Sequence, residues 1–147
     1  LVSHEYSTDS AGAGEHRGGL GVETRYIVGS EDTQIVTFGD GDVEPAFGLF
    51  GGGDGTLNRI ELQLPDGEVR VPTSKDLLTG IPKGTLYVQT AGGGGGYGNP
   101  HKRPADLVHR EVLNGVISLS AARDLYGVVI NPNTLELDGV ATSKLRS

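Results

Sequence analysis

The chain has 147 residues, of which 35% are hydrophobic and 21% charged, a size that fits one domain over 1–147 and leaves little room for two independent cores. Its 25 Gly are about 17% of the chain against ~7% in average usage; with 7 Pro and no three-residue period, collagen is excluded. No Cys is present, which removes disulfides, thiolate metal sites and Cys catalysis, and the formal charge of −7 gives no general attraction to nucleic acid.

No apolar run approaches the ~20 residues of a membrane span, and Leu1–Ser10 is too polar for a signal peptide. A soluble, cytoplasmic chain without a membrane partner is expected. A start at Leu1 with no Met anywhere reads as a trimmed chain or a part of a longer one.

In chain order, Ala11–Gly21 holds five Gly in eleven residues and reads as a loop. Val22–Val28 and Thr33–Phe38 are rich in β-branched and aromatic residues, and the turn chemistry of Gly29-Ser30-Glu31-Asp32 predicts that they form a hairpin. A second Gly-rich stretch, Gly39–Gly55, is broken by Phe47-Gly48-Leu49-Phe50. Leu57–Leu64 and Glu68–Val71 flank Pro65-Asp66-Gly67, the clearest hairpin signal in the chain, with Ile60, Leu62 and Leu64 on one face. Gly84–Thr90 reads as a fifth strand.

Five consecutive Gly, Gly92–Gly96, then admit neither helix nor strand. They form either a flexible tether or a backbone packed too closely for any Cβ. Tyr87, Val88 and Tyr97 flank the run where a linker would carry Ser and polar spacers, which favours a packed, polyproline II-like segment. Gly12–Gly21 and Gly51–Gly55 are its expected neighbours, and Gly94→Val is expected to add a side chain where no volume exists, at a cost of ~1–3 kcal/mol.

Pro104 at the first helical position, Asp106 in the first turn, apolar Leu107, Val108, Val112 and Leu113, and a Gly115 stop predict one short helix. Ser118 as N-cap, Ala121, Ala122, Leu125 and a terminal Gly127 predict a second. Val128–Ile130 is extended, and residues 131–147 read as a polar tail. The fold expected is mainly β: barrel-like sheets with Gly-rich extended segments over residues 1–98, and two short C-terminal helices over 103–127.

No constellation carries chemistry by itself. Gly12-Ala13-Gly14 with Gly18 lacks the preceding strand and following helix of a dinucleotide loop, and no Gly-Lys-Ser/Thr exists; His16 and Arg17 are left as residues able to face an anion held by a neighbouring subunit. His4, His16, His101 and His109 share no metal-ligand spacing. Asp9, Asp40, Asp42, Asp54 and Asp66 sit beside Gly or small polar residues, as in Asx turns, and Gly39-Asp40-Gly41-Asp42 lacks the ligand series of a calcium loop. Ser10 and Ser74 have no nucleophile-elbow context, and Ser74-Lys75 reads as a solvated pair. No catalytic, cofactor-binding or metal-binding residue is assigned.

The string Thr8-Asp9-Ser10-Ala11-Gly12-Ala13-Gly14-Glu15-His16-Arg17-Gly18-Gly19-Leu20-Gly21 resembles the Asp-Ser-Gly-Gly-Ala-Gly-x-x-Arg-Gly-Gly-Leu-Gly signature of the hydantoinase B/oxoprolinase family. Phe47-Gly48-Leu49-Phe50-Gly51-Gly52, Pro72-Thr73-Ser74-Lys75, Thr90-Ala91 with Gly92–Gly96, and Tyr97-Gly98-Asn99-Pro100 follow in family order. Asp106, Val108, Gly115, Ser118–Ala122 and Tyr126-Gly127-Val128 resemble its closing helices. Ala11, Glu15-His16, Lys83-Gly84 and Ala91 depart from the usual pattern.

The resemblance covers the C-terminal portion of a B-type chain. It implies a non-autonomous, mainly structural subunit of an ATP-dependent multisubunit ketone carboxylase of the acetophenone or acetone type. ATP and a divalent metal would be held by a partner, and the partners would be the larger subunits of a hydantoinase A/B-type complex. The alternatives are part of an ATP-dependent hydantoinase or 5-oxoprolinase, and a stand-alone Gly-rich binding module with a linker at Gly92–Gly96.

Overall fold

In the computed structural model, which describes residues 1–147, seven strands divide between two open sheets: β1 (Ser3–Tyr6), β2 (Val22–Ile27), β3 (Thr33–Phe38), β4 (Arg59–Gln63), β5 (Val69–Arg70), β6 (Lys75–Ile81) and β7 (Leu86–Ala91). One sheet has the order β1-β2-β7-β4-β5, and β3 and β6 form the other. Every pairing is antiparallel. The chain is mainly β, as expected, but neither sheet closes into a barrel. No helix is long and apolar enough to cross a membrane.

The Pro65-Asp66-Gly67 hairpin forms as predicted. Leu62 lies opposite Arg70 and Gln63 opposite Val69, the Gly67 N–H donates to Leu64 O (3.0 Å), and Asp66 Oδ1 accepts from Glu68 N (2.9 Å). Period-two alternation turns Leu62 and Leu64 inward, where they are buried with Ile81, while Ile60, Ile35, Leu78 and Tyr87 pack against them. This is the core between the sheets.

The predicted β2–β3 hairpin does not form. β2 lies between β1 and β7, and β3 pairs with β6, from Thr33 opposite Ile81 to Phe38 opposite Lys75. Gly29–Asp32 carries the chain from one sheet to the other, because β3 places Ile35 against the inter-sheet core, beside Leu78. Tertiary burial overrides local turn chemistry here. β6 itself escapes the sequence reading, since Lys75-Asp76 and a left-handed Gly80 (φ +66°) interrupt any alternation, and β1 is too polar to be distinguished from a loop.

The helices α1 (Ala105–Leu113) and α2 (Leu119–Asp124) lie where expected, with Pro104 as N-cap rather than first helical residue. Ser118 Oγ accepts from Ala121 N (3.0 Å), and Gly115 and Gly127 take left-handed φ of +75° and +62° just past the helix ends. Val108, Ile117, Ala122, Tyr126, Val128 and Ile130 form a second core with Ala13 of the first Gly-rich loop.

A third helix, α3 (Gly139–Arg146), replaces part of the expected tail. Asp138 caps it by accepting from Ala141 N (2.9 Å). Polar contacts dock it: Thr142 Oγ1 accepts from Val129 N (3.0 Å) and Arg146 Nε donates to Tyr126 O (2.9 Å). Only Thr142 of this helix is buried, so hydrophobic periodicity gave no signal for it.

Gly92–Gly96 is ordered and packed. The run threads between Ser10–Gly19 and Phe47–Thr56, and both expected Gly-rich neighbours are in contact with it. Gly12 N donates to Gly94 O (2.9 Å), Gly94 N to Gly19 O (2.9 Å), Gly96 N to Gly53 O (2.8 Å) and Leu49 N to Gly96 O (2.9 Å). At Gly92 and Gly93, Asn58 Oδ1 (2.6 Å) and Thr56 Oγ1 (3.1 Å) accept the N–H groups.

A Cβ added at Gly92, Gly93, Gly95 or Gly96 would stand 2.0 Å from the carbonyl oxygen of Thr56, Ser10, Phe47 or Ala13, respectively. The crowding is mutual: a Cβ at Gly18 would lie 2.0 Å from Gly94 O, and one at Gly55 1.9 Å from Gly93 O. None of these residues has a left-handed φ. Space, not torsion, demands glycine here. Gly94 is the roomiest position of the run, with Gly19 N at 3.2 Å, so it tests the packing poorly.

Gly96→Ala is expected to destabilise the chain by ~1–3 kcal/mol or more, as overpacking against an immovable carbonyl. Gly19→Ala meets nothing within 4 Å and is expected to be neutral or stabilising by ~0.4–1 kcal/mol through the unfolded state. Urea denaturation of the two variants checks this; equal midpoints would mean that the layer yields to a methyl group.

Candidate functional site

The first Gly-rich loop is pinned at both ends by polar side chains. Thr8 Oγ1 donates to Gly115 O (2.7 Å). Asp9, at φ +57°, donates its N–H to Val116 O (3.0 Å) and accepts from Ser118 N through Oδ1 (2.8 Å). Buried Ser10 donates to Ser7 O (2.6 Å) and accepts from Gly21 N (2.8 Å). Thr8 and Asp9 hold the loop to the joint between α1 and α2, and Ser10 ties the two ends of the loop together.

Arg17 secures the same loop by charge. Its Nε lies 2.9 Å from Glu111 Oε1 on α1, and Arg103 reaches the same carboxylate through Nη2 (2.8 Å) and Nε (3.2 Å). Arg103 Nη1 also donates to Glu15 O (3.0 Å), and Arg17 Nη1 to Gly18 O (2.7 Å). The three side chains are only 12–20% exposed, so the carboxylate between two guanidinium groups is weakly screened. Arg17, read from the sequence as free to face a neighbour's anion, is therefore engaged within its own chain. Glu111 was missed because 94 residues separate it from Arg17.

At the far edge of the layer, Leu49-Phe50-Gly51-Gly52 makes a tight turn. Gly52 N donates to Leu49 O (3.0 Å), and φ is +51° at Phe50 and +92° at Gly51, the signature of a type I′ turn. Tyr97 backs it, paired to His16 by reciprocal N–H···O bonds of 3.0 and 2.9 Å. The Phe50 and Tyr97 rings meet edge to face at 5.1 Å, and the His16 ring lies 6.1 Å from Tyr97. Phe47 and Phe50 are 74% and 77% exposed.

The other candidate residues do not converge. His4 hydrogen-bonds Thr24 Oγ1 (2.8 Å), and His109 hydrogen-bonds Leu135 O (2.7 Å). His101 lies beside Gly127 and Arg146. No three His, Asp or Glu side chains gather to hold a metal ion. Asp54 accepts from Gly48 N (2.8 Å) and Asp40 pairs with Lys75 (2.8 Å), which takes Lys75 away from Ser74. Asp42 accepts from Ser74 N (3.0 Å), and the Ser74 N–H and hydroxyl hold its carboxyl below the usual value. Asp42 and Ser74 line an open cleft of about 580 Å³ beside β4, with Asn58, Arg59, Ile60 and Thr73. The cleft is satisfied internally and brings no imidazole to Ser74.

The hydantoinase B/oxoprolinase family model matches residues 1–100. The chain belongs to the hydantoinase B/oxoprolinase family. The matched stretch contains all three segments of the glycine layer. The chain is similar to caprolactamase subunit beta of Pseudomonas jessenii, 39% identical over 100% of this chain and 26% of that one. The crystal structure of ATP-dependent caprolactamase from Pseudomonas jessenii superposes with a TM-score of 0.77 at 33% identity, over 99% of this chain and 26% of that chain. The nucleotide-free structure of acetone carboxylase gives 0.78 at 22% identity, over 99% and 24%, and shares the fold. The chain thus spans about a quarter of the length of the relatives it matches.

Glu111→Gln leaves Arg17 and Arg103 facing each other without a counter-charge. It is expected to cost roughly 2–3 kcal/mol, below the ~3–5 kcal/mol for breaking a fully buried pair. Hydrogen exchange should rise in residues 8–19 and in α1 together. Glu68→Gln, in the exposed pair with Arg70, should leave the unfolding midpoint unchanged; equal effects of the two would remove the clamp's special role.

Proposed function

We propose that this chain is a structural part of an ATP-dependent multisubunit complex that hydrolyses a cyclic amide, with ATP and its divalent metal held by larger subunits. The observation that carries this reading is the distribution of apolar side chains. Twenty-one large hydrophobic residues are exposed, while the buried hydrophobic set has ten members. An excess of exposed over buried apolar side chains supports a chain that covers part of this surface against other protein.

The family resemblance puts ketone carboxylation first, but the substrate reading shifts on identity. The 39%-identical relative is a caprolactamase subunit, whereas acetone carboxylase shares the fold at 22%. Ketone carboxylation stays as the second reading on that fold. The stand-alone module loses its motive, because Gly92–Gly96 is no tether. The need for ATP makes the cytoplasm the compartment this reading implies.

The test is the assembly purified from its native cells through a tag on this chain. It should turn over ATP in the presence of lactams or hydantoins and show no dependence on bicarbonate. The isolated chain should show no ATPase, amidase or carboxylase activity, since no nucleophile, phosphate loop or metal cluster is assembled in it. Bicarbonate-dependent ATP turnover with ketones would establish the second reading; a chain that migrates alone as a monomer would overturn both.

A further inference from the structure

We propose that the ridge of Phe47, Leu49 and Phe50, backed by Tyr97, is a docking knob that inserts into an apolar hollow rimmed by Lys or Arg on a larger chain of the same assembly. The inference rests on the reading that this chain works within a complex, and it names where the contact is made and with what chemistry.

The first argument is shape. Phe47, Leu49, Phe50 and Tyr97 line none of the four main clefts of the molecule. Side chains this exposed and outside the main clefts do not enclose a small ligand, whose sites are concave; they are covered by a surface of another macromolecule. The ridge is also rigid, because Leu49 bonds to Gly96 and Gly98, and Tyr97 to His16. Little ordering of the backbone is left for the moment of binding, and aromatic side chains on a fixed backbone are the residue types that anchor interfaces.

The second argument is conformation. The first central position of a type I′ turn requires positive φ and favours Asn, Asp or Gly. Phe50 occupies it at φ +51° with a mostly exposed ring. Its own fold gains little from that ring beyond the edge contact with Tyr97. A strained, exposed aromatic residue where a small polar one would sit better points to a use outside the chain.

The third argument is charge. Glu44, just before Phe47 in sequence, Asp54, which caps Gly48 N, and Glu15, beside Gly98, belong to no ion pair. An apolar centre with an acidic surround complements a basic rim. A second copy of this chain, carrying −7 and the same acidic surround, is a poor occupant. In the relatives about three quarters of the matched chain lies outside the matched stretch, so a chain of that kind, larger than this one, is the occupant we assign.

The experiment compares Phe50→Asn, Phe47→Ser and, on the outer face of α3, Val140→Ser in the full chain. Two quantities are read: the melting temperature of the chain alone and its affinity for the larger subunits. Phe50→Asn should melt no lower than wild type yet bind at least tenfold more weakly. Phe47→Ser should also bind more weakly, and Val140→Ser should match wild type. A photo-crosslinker at position 50 should capture a peptide of a larger subunit that contains apolar residues and Lys or Arg. Binding of both Phe variants within twofold of wild type, or crosslinking only to a second copy, would overturn the knob while leaving the proposed function standing. A wild-type chain that binds no larger subunit would overturn both.

Discussion

Backbone touching backbone is the contact on which this structure depends. At Gly92, Gly93, Gly95 and Gly96 a carbonyl oxygen of a neighbouring segment occupies the space of a Cβ. Ordering glycine costs more backbone entropy than ordering any other residue, on a scale of ~1–2 kcal/mol per residue for an average one. No side-chain burial at these positions offsets it. The compensation comes from close dispersion contacts and from the N–H groups of Gly92, Gly93, Gly94 and Gly96, which donate to Asn58 Oδ1, Thr56 Oγ1, Gly19 O and Gly53 O. Such a layer forms in one register or not at all, because a shift by one residue would bring Ala11, Ala13 or Phe47 to a contact that admits no side chain.

That constraint explains the polar machinery around it. The first Gly-rich loop cannot hold itself by hydrophobic packing, as only Ala13 of it enters a core. It is fixed instead by Asp9 on Ser118, by Ser10 on Gly21 and by Arg17 on Glu111. The same constraint explains the surface. A layer that excludes side chains from its interior sends Phe47, Leu49, Phe50 and Tyr97 outward, and the two cores that remain are small: three buried residues between the sheets and seven around the helices. An acidic chain with this much uncovered apolar area is suited to being enclosed by other protein.

What could be read from the sequence divides by range. Local chemistry was legible: the Pro65-Asp66-Gly67 hairpin, the Ser118 cap, the left-handed Gly115 and Gly127. So was the packing of Gly92–Gly96, from aromatic flanks that no linker would carry. Pairings that depend on distant partners were not. Nothing near β3 reveals that β6 is its neighbour, and the turn before β3 is as compatible with passing between sheets as with reversal. Glu111 looks like any acidic residue on an amphipathic helix until folding brings Arg17 and Arg103 to it. Phe50 reads as apolar punctuation within a Gly-rich stretch; the turn that gives it a positive φ is held by the Leu49 contacts to Gly96 and Gly98, which lie nearly fifty residues away in sequence.

The match of the family model to residues 1–100 suggests a unit that ends before the helices, but the contacts argue otherwise. The signature loop closes on Gly115, Val116 and Ser118, and its Arg17 closes on Glu111. Those hydrogen-bonding groups and the Glu111 charge all belong to the helical end. α3 in turn reaches the strand-like Val129 and the Tyr126 carbonyl, fixing the segment that carries Tyr126, Val128 and Ile130 into the core shared with Ala13. The glycine layer is therefore anchored on backbone groups and a carboxylate that follow it in sequence, so the helical end is part of the layer's architecture and not an appendage to it.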